Sequence, residues 1–330
     1  MYLCTVKDFL HHLTERLLPY LSPAEARETA FWIIEESTGL SRTQILTGGK
    51  DTKNIPNIEN ILQRIAKKEP IQYIFQHTLW NGLDLKVTPD TLIPRPETAE
   101  LVSLILNHKF EVIVPSGKEI LNHKFEILNH KSKILNHKSK IRVLDIGTGS
   151  GCIAIALKKA HPEWQVFACD ISESALDVAR ENARRNNVDI TFFTADILNP
   201  KFDILNPKSE ILNLKSEILN PKYDLVVSNP PYVRHSEAAD MSASVLDYEP
   251  HTALFVPDND PLLFYRRIAE FLITNRKSKI TNRESLLFFE INESFGPAVC
   301  HLLDGLGYND IQLYHDSYGK DRFVSARLIG

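Results

Sequence analysis

Cysteine is sparse in this 330-residue chain: Cys4, Cys152, Cys169 and Cys300 are scattered, with no CxxC pair. That excludes a disulfide framework and a zinc-binding cysteine motif, so no metal is expected, and it fits a reducing, cytoplasmic compartment. Long apolar runs are missing too. No stretch approaches the roughly 18 uninterrupted apolar residues that a membrane-spanning helix needs. The opening stretch, MYLCTVKDFLHHLTERLLPYL, carries charges every few residues and reads as an amphipathic helix rather than a signal peptide. Excess positive charge is also absent: the formal net charge is −4, which gives no support to a long nucleic-acid footprint. Hydrophobic residues at 43% and charged residues at 24% are ordinary for a globular protein long enough to hold two domains.

Residues 1–74 are helical in pattern. SPAEARETAFWIIEESTGL opens with Ser22, Pro23 and Glu25, a capping box with proline at the first helical position, and Gly39 stops it. NIENILQRIAKKEPIQYI repeats the apolar spacing until Pro70 breaks it. Asn81-Gly82, between two alternating runs, signals a β-hairpin within residues 75–90 that bridges to the next domain, with a plain linker as the bland alternative.

From Ile141 the pattern alternates. IRVLDIG, QVFACD, ITFFTAD, YDLVVSNP and SLLFFEI read as strands, separated by helices such as GCIAIALKKA and SESALDVARENARRNN. This alternation implies an α/β domain over residues 91–330, with a mostly parallel sheet and helices on both faces. The two closing strands, DIQLYHD and RFVSARLI, suggest an antiparallel edge hairpin around Gly319, making seven strands in all.

Seven-residue repeats interrupt the domain at about 105–140, 197–224 and 273–285, as in ILNHKSK, ILNPKSE and ITNRKSK. Ile and Leu are adjacent in them instead of occupying a and d positions, which argues against a coiled coil. Recurring proline excludes a continuous helix in the second array. Each array ends where a core strand begins. In-frame expansion within surface connections is the simplest account, because loop-closure entropy grows slowly with length; a dedicated binding element is the rival.

Three segments carry chemistry. VLDIGTGSG places Gly147, Thr148, Gly149, Ser150 and Gly151 directly after the first strand of the α/β region. Glycines there permit a tight turn and close approach of a ligand to the backbone. The spacing G-x-G-x-G is not the phosphate-cradling G-x-G-x-x-G, which shifts weight from a pyrophosphate ligand towards S-adenosylmethionine. Asp170, ending the second strand, can accept both hydroxyls of a ribose; its alternative is a helix cap, a role open to Ser172. Asp196 ends the third strand, where it would meet an adenine amino group or serve as an ordinary loop acid. Ile197 would wall the adenine, although it also begins the second repeat array.

The third segment is Asn229-Pro230-Pro231-Tyr232 at the end of the fourth strand. An amide or aromatic amine nitrogen is a poor nucleophile because its lone pair is delocalised. The Asn229 side-chain carbonyl and the Pro230 backbone carbonyl can each accept one N–H of a planar NH2 group, which orients the nitrogen and raises its electron density. Pro231 restricts Pro230 to extended backbone and so aims that carbonyl. Tyr232 offers a face to a flat amide or base.

With these motifs the chain resembles the HemK/PrmC family of glutamine methyltransferases that modify peptide release factors. The likeness runs through EPIQYIF, NGLDLKVTPDTLIPRPETAELV, VLDIGTGSGCIAIAL, YDLVVSNPPYV, YEPHTALFV and HDSYGKDRFV, and IPRPET makes it specific. It implies a class I methyltransferase of Rossmann-like fold, preceded by a helical domain that engages a class I peptide chain release factor. The implied reaction methylates the glutamine of that factor's Gly-Gly-Gln loop. Gly147 to Gly151 and Asp170 would then bind S-adenosylmethionine, Asn229 would touch cofactor and substrate, and Asn229 to Tyr232 would hold the glutamine. Arg95 and Glu97 would shape the pocket entrance. Asn292 stands where many relatives have glycine. A monomer without direct nucleic-acid binding is expected.

Two rivals stand beside this reading. An adenine amino-methyltransferase acting on DNA or RNA could use the same corner to grip a flipped base, but would need a basic surface. A non-catalytic protein-binding module would need neither the intact glycine loop nor Asp170 and Asn229.

Overall fold

The computed structural model describes residues 5–48, 55–108, 141–199, 222–277 and 284–329. Most of the three repeat arrays therefore lies outside the described residues. The chain divides into two compact units, Met1–His77 with Met241–Tyr248, and Thr78–Asp240 with Glu249–Gly330.

The first unit is helical. α1 (Val6–Leu17) starts at Thr5, whose hydroxyl accepts the Asp8 N–H. α2 (Pro23–Thr38) carries the capping box of Ser22 and Glu25 and ends at Gly39, which is left-handed at φ 69°. A second capping box, Ser41 with Gln44, opens the short α3 (Arg42–Thr47). α4 (Ile58–Ala66) and α5 (Ile71–Phe75) follow. The chain leaves α4 through Lys68 at φ 67°, so the helix has already ended before Pro70. Leu13, Leu17, Ile33, Ile34 and Ile45 are fully buried and form the centre of this unit's core.

The second unit opens with a hairpin of β1 (Thr78–Trp80) and β2 (Leu83–Leu85), paired Trp80 to Leu83. Asn81 and Gly82 both have positive φ, 49° and 73°, as a tight two-residue turn between twisted strands requires. There follow α6 (Pro96–Asn107), β3 (Arg142–Ile146), α7 (Cys152–Ala160), β4 (Gln165–Asp170), α8 (Glu173–Arg185), β5 (Thr191–Thr194), β6 (Leu225–Ser228), β7 (Val233–Arg234) and α9 (Ala243–Tyr248). The chain ends with β8 (Phe255–Val256), α10 (Leu263–Lys277), β9 (Ser285–Glu290), α11 (Gly296–Gly305), β10 (Asn309–His315) and β11 (Asp321–Leu328).

Seven strands form the main sheet in the order β10-β11-β9-β6-β3-β4-β5, with β11 antiparallel to both neighbours and the remaining pairs parallel. Alternate residues feed two cores. Val143, Val227 and Phe288 join one with α6 and α7, while Leu144, Val226 and Phe289 join the other with α10 and α11. Burial on both faces explains why the central strands read as unbroken apolar runs instead of alternating ones.

Three features depart from the sequence reading. α6 was not foreseen, yet Thr98, Leu101, Val102 and Ile105 recur at helical spacing and are all buried. Ile105–Asn107 and Ile273–Lys277, which open two of the repeat arrays, are the closing turns of α6 and α10. Those copies begin inside packed helices, because the buried Ile105 fits the helical stripe. Met241–Tyr248 groups with the helical unit, where the Tyr248 hydroxyl donates to the Lys67 carbonyl at 2.9 Å. Among the described residues no helix is long and apolar enough to cross a membrane.

Candidate functional site

Sheet register decides which residues meet. Ile146 of β3 pairs with Cys169 of β4 and Ser228 of β6, and Ser228 pairs with Phe289 of β9. The next residue on each strand is therefore Gly147, Asp170, Asn229 or Glu290, all at one level beyond the carboxyl ends. β3 is the point where the chain departs towards β4 on one side and β6 on the other, the crevice in which open α/β sheets hold ligands. The Ser228 hydroxyl donates to the Ile146 carbonyl at 2.7 Å, which fastens the two strand ends together.

The glycine loop is tied down by its backbone. Gly147 and Thr148 donate their N–H groups to the Cys169 carbonyl at 2.9 and 3.0 Å. The Thr148 hydroxyl donates to Asp145 Oδ2 at 2.6 Å. Burial drives the Asp145 carboxyl up to about 7, against the opposing pull of that hydrogen bond. Gly149 and Ser172 donate their backbone N–H groups to Asp170 Oδ2 and Oδ1 at 2.9 and 3.0 Å. Burial nevertheless leaves the Asp170 carboxyl above its ordinary range. Ser172 caps α8, so Asp170 is not the capping side chain.

Below this loop lies a cavity of about 360 Å³. Gly147, Thr148, Gly149, Ser150, Asp170, Asp196, Ile197, Asn229, Pro230, Pro231 and Arg95 line it, whereas Gly151, Tyr232 and Glu97 stand outside its lining. Gly151 serves packing: at φ 82°, a β-carbon there would come within 3.1 Å of Ala179 Cβ. Asp196 closes a tight turn by accepting the Leu198 N–H at 2.9 Å. The charged residues of the lining are Asp90, Asp170 and Asp196 against Arg95. Arg95 is already paired, at 2.6 Å, with Glu249, which is 4% exposed and also accepts the Ile93 N–H.

Asn229 is held from behind. Its Nδ2 donates to Thr98 Oγ1 at 3.2 Å, and the Thr98 hydroxyl donates to Glu290 Oε2 at 2.7 Å. Among the described residues nothing donates to Asn229 Oδ1 or to the Pro230 carbonyl. The Tyr232 hydroxyl donates to Glu290 Oε1 at 3.2 Å, and its partly buried ring packs against the core that includes α10. Desolvation raises the Tyr232 phenol far above its ordinary range, so it stays a donor. Asn292 fastens the corner from the other side: its Nδ2 donates to the Tyr232 carbonyl at 3.2 Å. Glu97 lies in the first turn of α6, and its charge adds to the dominant effect of burial in raising the Glu290 carboxyl.

Thr98, Glu249, Glu290 and Asn292 were not singled out as site residues from sequence. The signals were weak but present: Glu290 is an acid ending an otherwise apolar strand, and Thr98 is the last residue of IPRPET.

Residues 130–247 match the methyltransferase small domain family and residues 9–75 the PrmC N-terminal domain family. The chain is 39% identical to a release factor glutamine methyltransferase of Bacteroides thetaiotaomicron, over 82% of this chain and 80% of that one. It is 35% identical to the protein of the same name from Flavobacterium psychrophilum, over 98% of this chain and 99% of that one. A third relative of that name, from Streptococcus pneumoniae, is 35% identical over 81% of this chain and 78% of its own.

Proposed function

The chain belongs to the release factor glutamine methyltransferase family, and on that premise we propose that it uses S-adenosylmethionine to methylate the side-chain amide nitrogen of the glutamine in the Gly-Gly-Gln motif of class I peptide chain release factors. The helical unit is assigned to recognition of that protein substrate, with the enzyme a monomer acting in the cytoplasm.

The residues present fit the cofactor. Three carboxylates face the cavity against a single guanidinium that is already neutralised by Glu249. Such a lining favours a cationic ligand and disfavours a diphosphate. Asp170 would take the ribose hydroxyls, Asp196 the adenine amino group and Ile197 the ring face, with the Gly147–Gly151 loop allowing close backbone approach. S-adenosylmethionine, when bound, would supply an electrophilic methyl group, its bond to the sulfonium sulfur breaking to leave a neutral thioether.

One observation carries the reading: the adjacent residues Asn229 and Pro230 line the cavity, and among the described residues nothing donates to Asn229 Oδ1 or Pro230 O. These two oxygens are matched to the two N–H groups of a primary carboxamide. Accepting both fixes the plane of the amide and stabilises the positive charge that builds on nitrogen as the new C–N bond forms. The nitrogen then gives up one proton to water, leaving a secondary amide. Asn229 and Pro230 are thus the catalytic contacts, Pro231 sets the direction of the Pro230 carbonyl, and Tyr232 braces the corner through Glu290. Arg95, with Glu249, walls the entrance.

The test is incubation of the purified protein with S-adenosylmethionine and a release factor, followed by peptide mass spectrometry. One methyl group on the Gly-Gly-Gln glutamine is expected, with none on adenine in DNA or RNA. An unmodified glutamine, or methylated adenine, overturns the reading.

A further inference from the structure

Glu290 ends β9 with only 1% of its surface exposed. It accepts hydrogen bonds from two groups that reach the substrate corner: Thr98 Oγ1 at 2.7 Å and Tyr232 Oη at 3.2 Å. A hydroxyl carries one proton. With that of Thr98 committed to the Glu290 carboxylate, the Thr98 oxygen faces Asn229 only as an acceptor. The side of the Asn229 carboxamide turned to Thr98 must then be its NH2, which directs Oδ1 the other way. We propose that Glu290 is a positioning residue that, through Thr98, sets which way round the Asn229 carboxamide lies and thereby whether an acceptor is presented to the incoming amide. The inference rests on the reading that Asn229 Oδ1 accepts a substrate N–H.

The relay has a polarity that depends on the charge of Glu290. A neutral Glu290 has a proton of its own to donate to Thr98. The Thr98 proton then turns towards Asn229, where it is satisfied by Oδ1, and the carboxamide presents NH2 to the substrate. A donor facing a donor cannot hold the amide. The ionised form is the productive one.

The groups packed around Glu290 place this switch in an accessible range. Burial is the largest influence, and with its neighbours included the carboxyl is raised to about 7. The hydrogen bonds from Thr98 on α6 and Tyr232 on the β6–β7 corner pull it down, as does Arg322 on β11, while Glu97 on α6 pushes it up. Arg322 is itself held at 3.0 Å by the buried Asp316.

The experiment compares wild type with Thr98→Val, Thr98→Ser and Glu290→Gln by two readouts. The first is the side-chain NH2 resonance pair of Asn229, assigned by its loss in Asn229→Asp and followed by nuclear magnetic resonance without substrate between about pH 5.5 and 8.5. In wild type the pair should titrate with a midpoint near that of Glu290, and in Glu290→Gln it should not titrate. The second is single-turnover methyl transfer beside cofactor binding by calorimetry. Thr98→Val should lose about tenfold or more in rate with cofactor Kd changed by less than about twofold, and Thr98→Ser should recover most of it. Loss of the acid limb of the rate profile in Glu290→Gln completes the expectation. Asn229 resonances indifferent to pH, or wild-type rates in Thr98→Val, overturn the relay. If the wild type methylates no glutamine, the proposed function fails while the resonance titration still decides the inference.

Discussion

Asp170 braces the glycine loop at its middle glycine, accepting the Gly149 N–H on Oδ2 at 2.9 Å while its other oxygen takes the Ser172 N–H at 3.0 Å. One carboxylate thus ties the loop after β3 to the start of α8. It also lines the cavity, where its remaining lone pairs are available to a ribose.

Asp170→Ala removes both contacts. We expect S-adenosylmethionine affinity to fall by about 10- to 100-fold, one or two charged hydrogen bonds' worth, read by calorimetry. Unchanged affinity would remove Asp170 from the cofactor site.

Gly151 tests the packing role separately. At φ 82°, a β-carbon is strained, and it would lie 3.1 Å from Ala179 Cβ and 3.2 Å from Ile155 Cδ1. Gly151→Ala should destabilise the protein by about 1–3 kcal/mol, measured by denaturant unfolding. A variant as stable as the wild type would mean that α8 shifts freely to make room.

Asn229→Ala removes one of the two amide acceptors. The rate of methyl transfer should fall on the order of 10²-fold, with the chain still folded because, among the described residues, the Asn229 side chain hydrogen-bonds only to Thr98. Tyr232→Ala, which loosens Glu290 without removing an acceptor, should cost less. Wild-type turnover in Asn229→Ala would dispose of the proposed grip on the amide.

Glu290 also makes stability depend on pH. Its folded carboxyl is raised from 4.5 to about 7, so the folded state binds its proton more tightly than the unfolded chain does. The resulting stabilisation is complete below the unfolded value and is lost as pH climbs to the folded one, a swing of about 3 kcal/mol. Glu290→Gln has no such loss. Urea unfolding of the two proteins should therefore show the variant gaining on the wild type by about that amount between about pH 4.5 and 7. A constant gap across that range would show that Glu290 ionises normally.

The second repeat array lies mostly outside the described residues, between Ile197, which is buried at the cavity, and Tyr223, which is buried before β6. Deleting Ile204 to Glu217 removes two seven-residue copies in frame. Loop entropy changes little with such a shortening, and methyl transfer should stay within about twofold of wild type. A folded but inactive deletion would give the array a function of its own.

Local chemistry was legible in the sequence wherever it is written in consecutive residues. The capping box at Ser22, the Asn81-Gly82 turn, the apolar strands, the glycine loop and the Asn229–Tyr232 corner each owe their form to near neighbours along the chain, so backbone preference and hydrophobic period suffice to find them. What only the tertiary structure decided is the company those residues keep. Parallel pairing of β3, β6 and β9 brings Asn229 and Glu290 to one level, and α6 delivers Thr98 between them. No local preference encodes such a meeting. Hydrogen bonds across 131 and 192 positions of chain exist only once the sheet register is fixed, and that register is set by burying two faces at once.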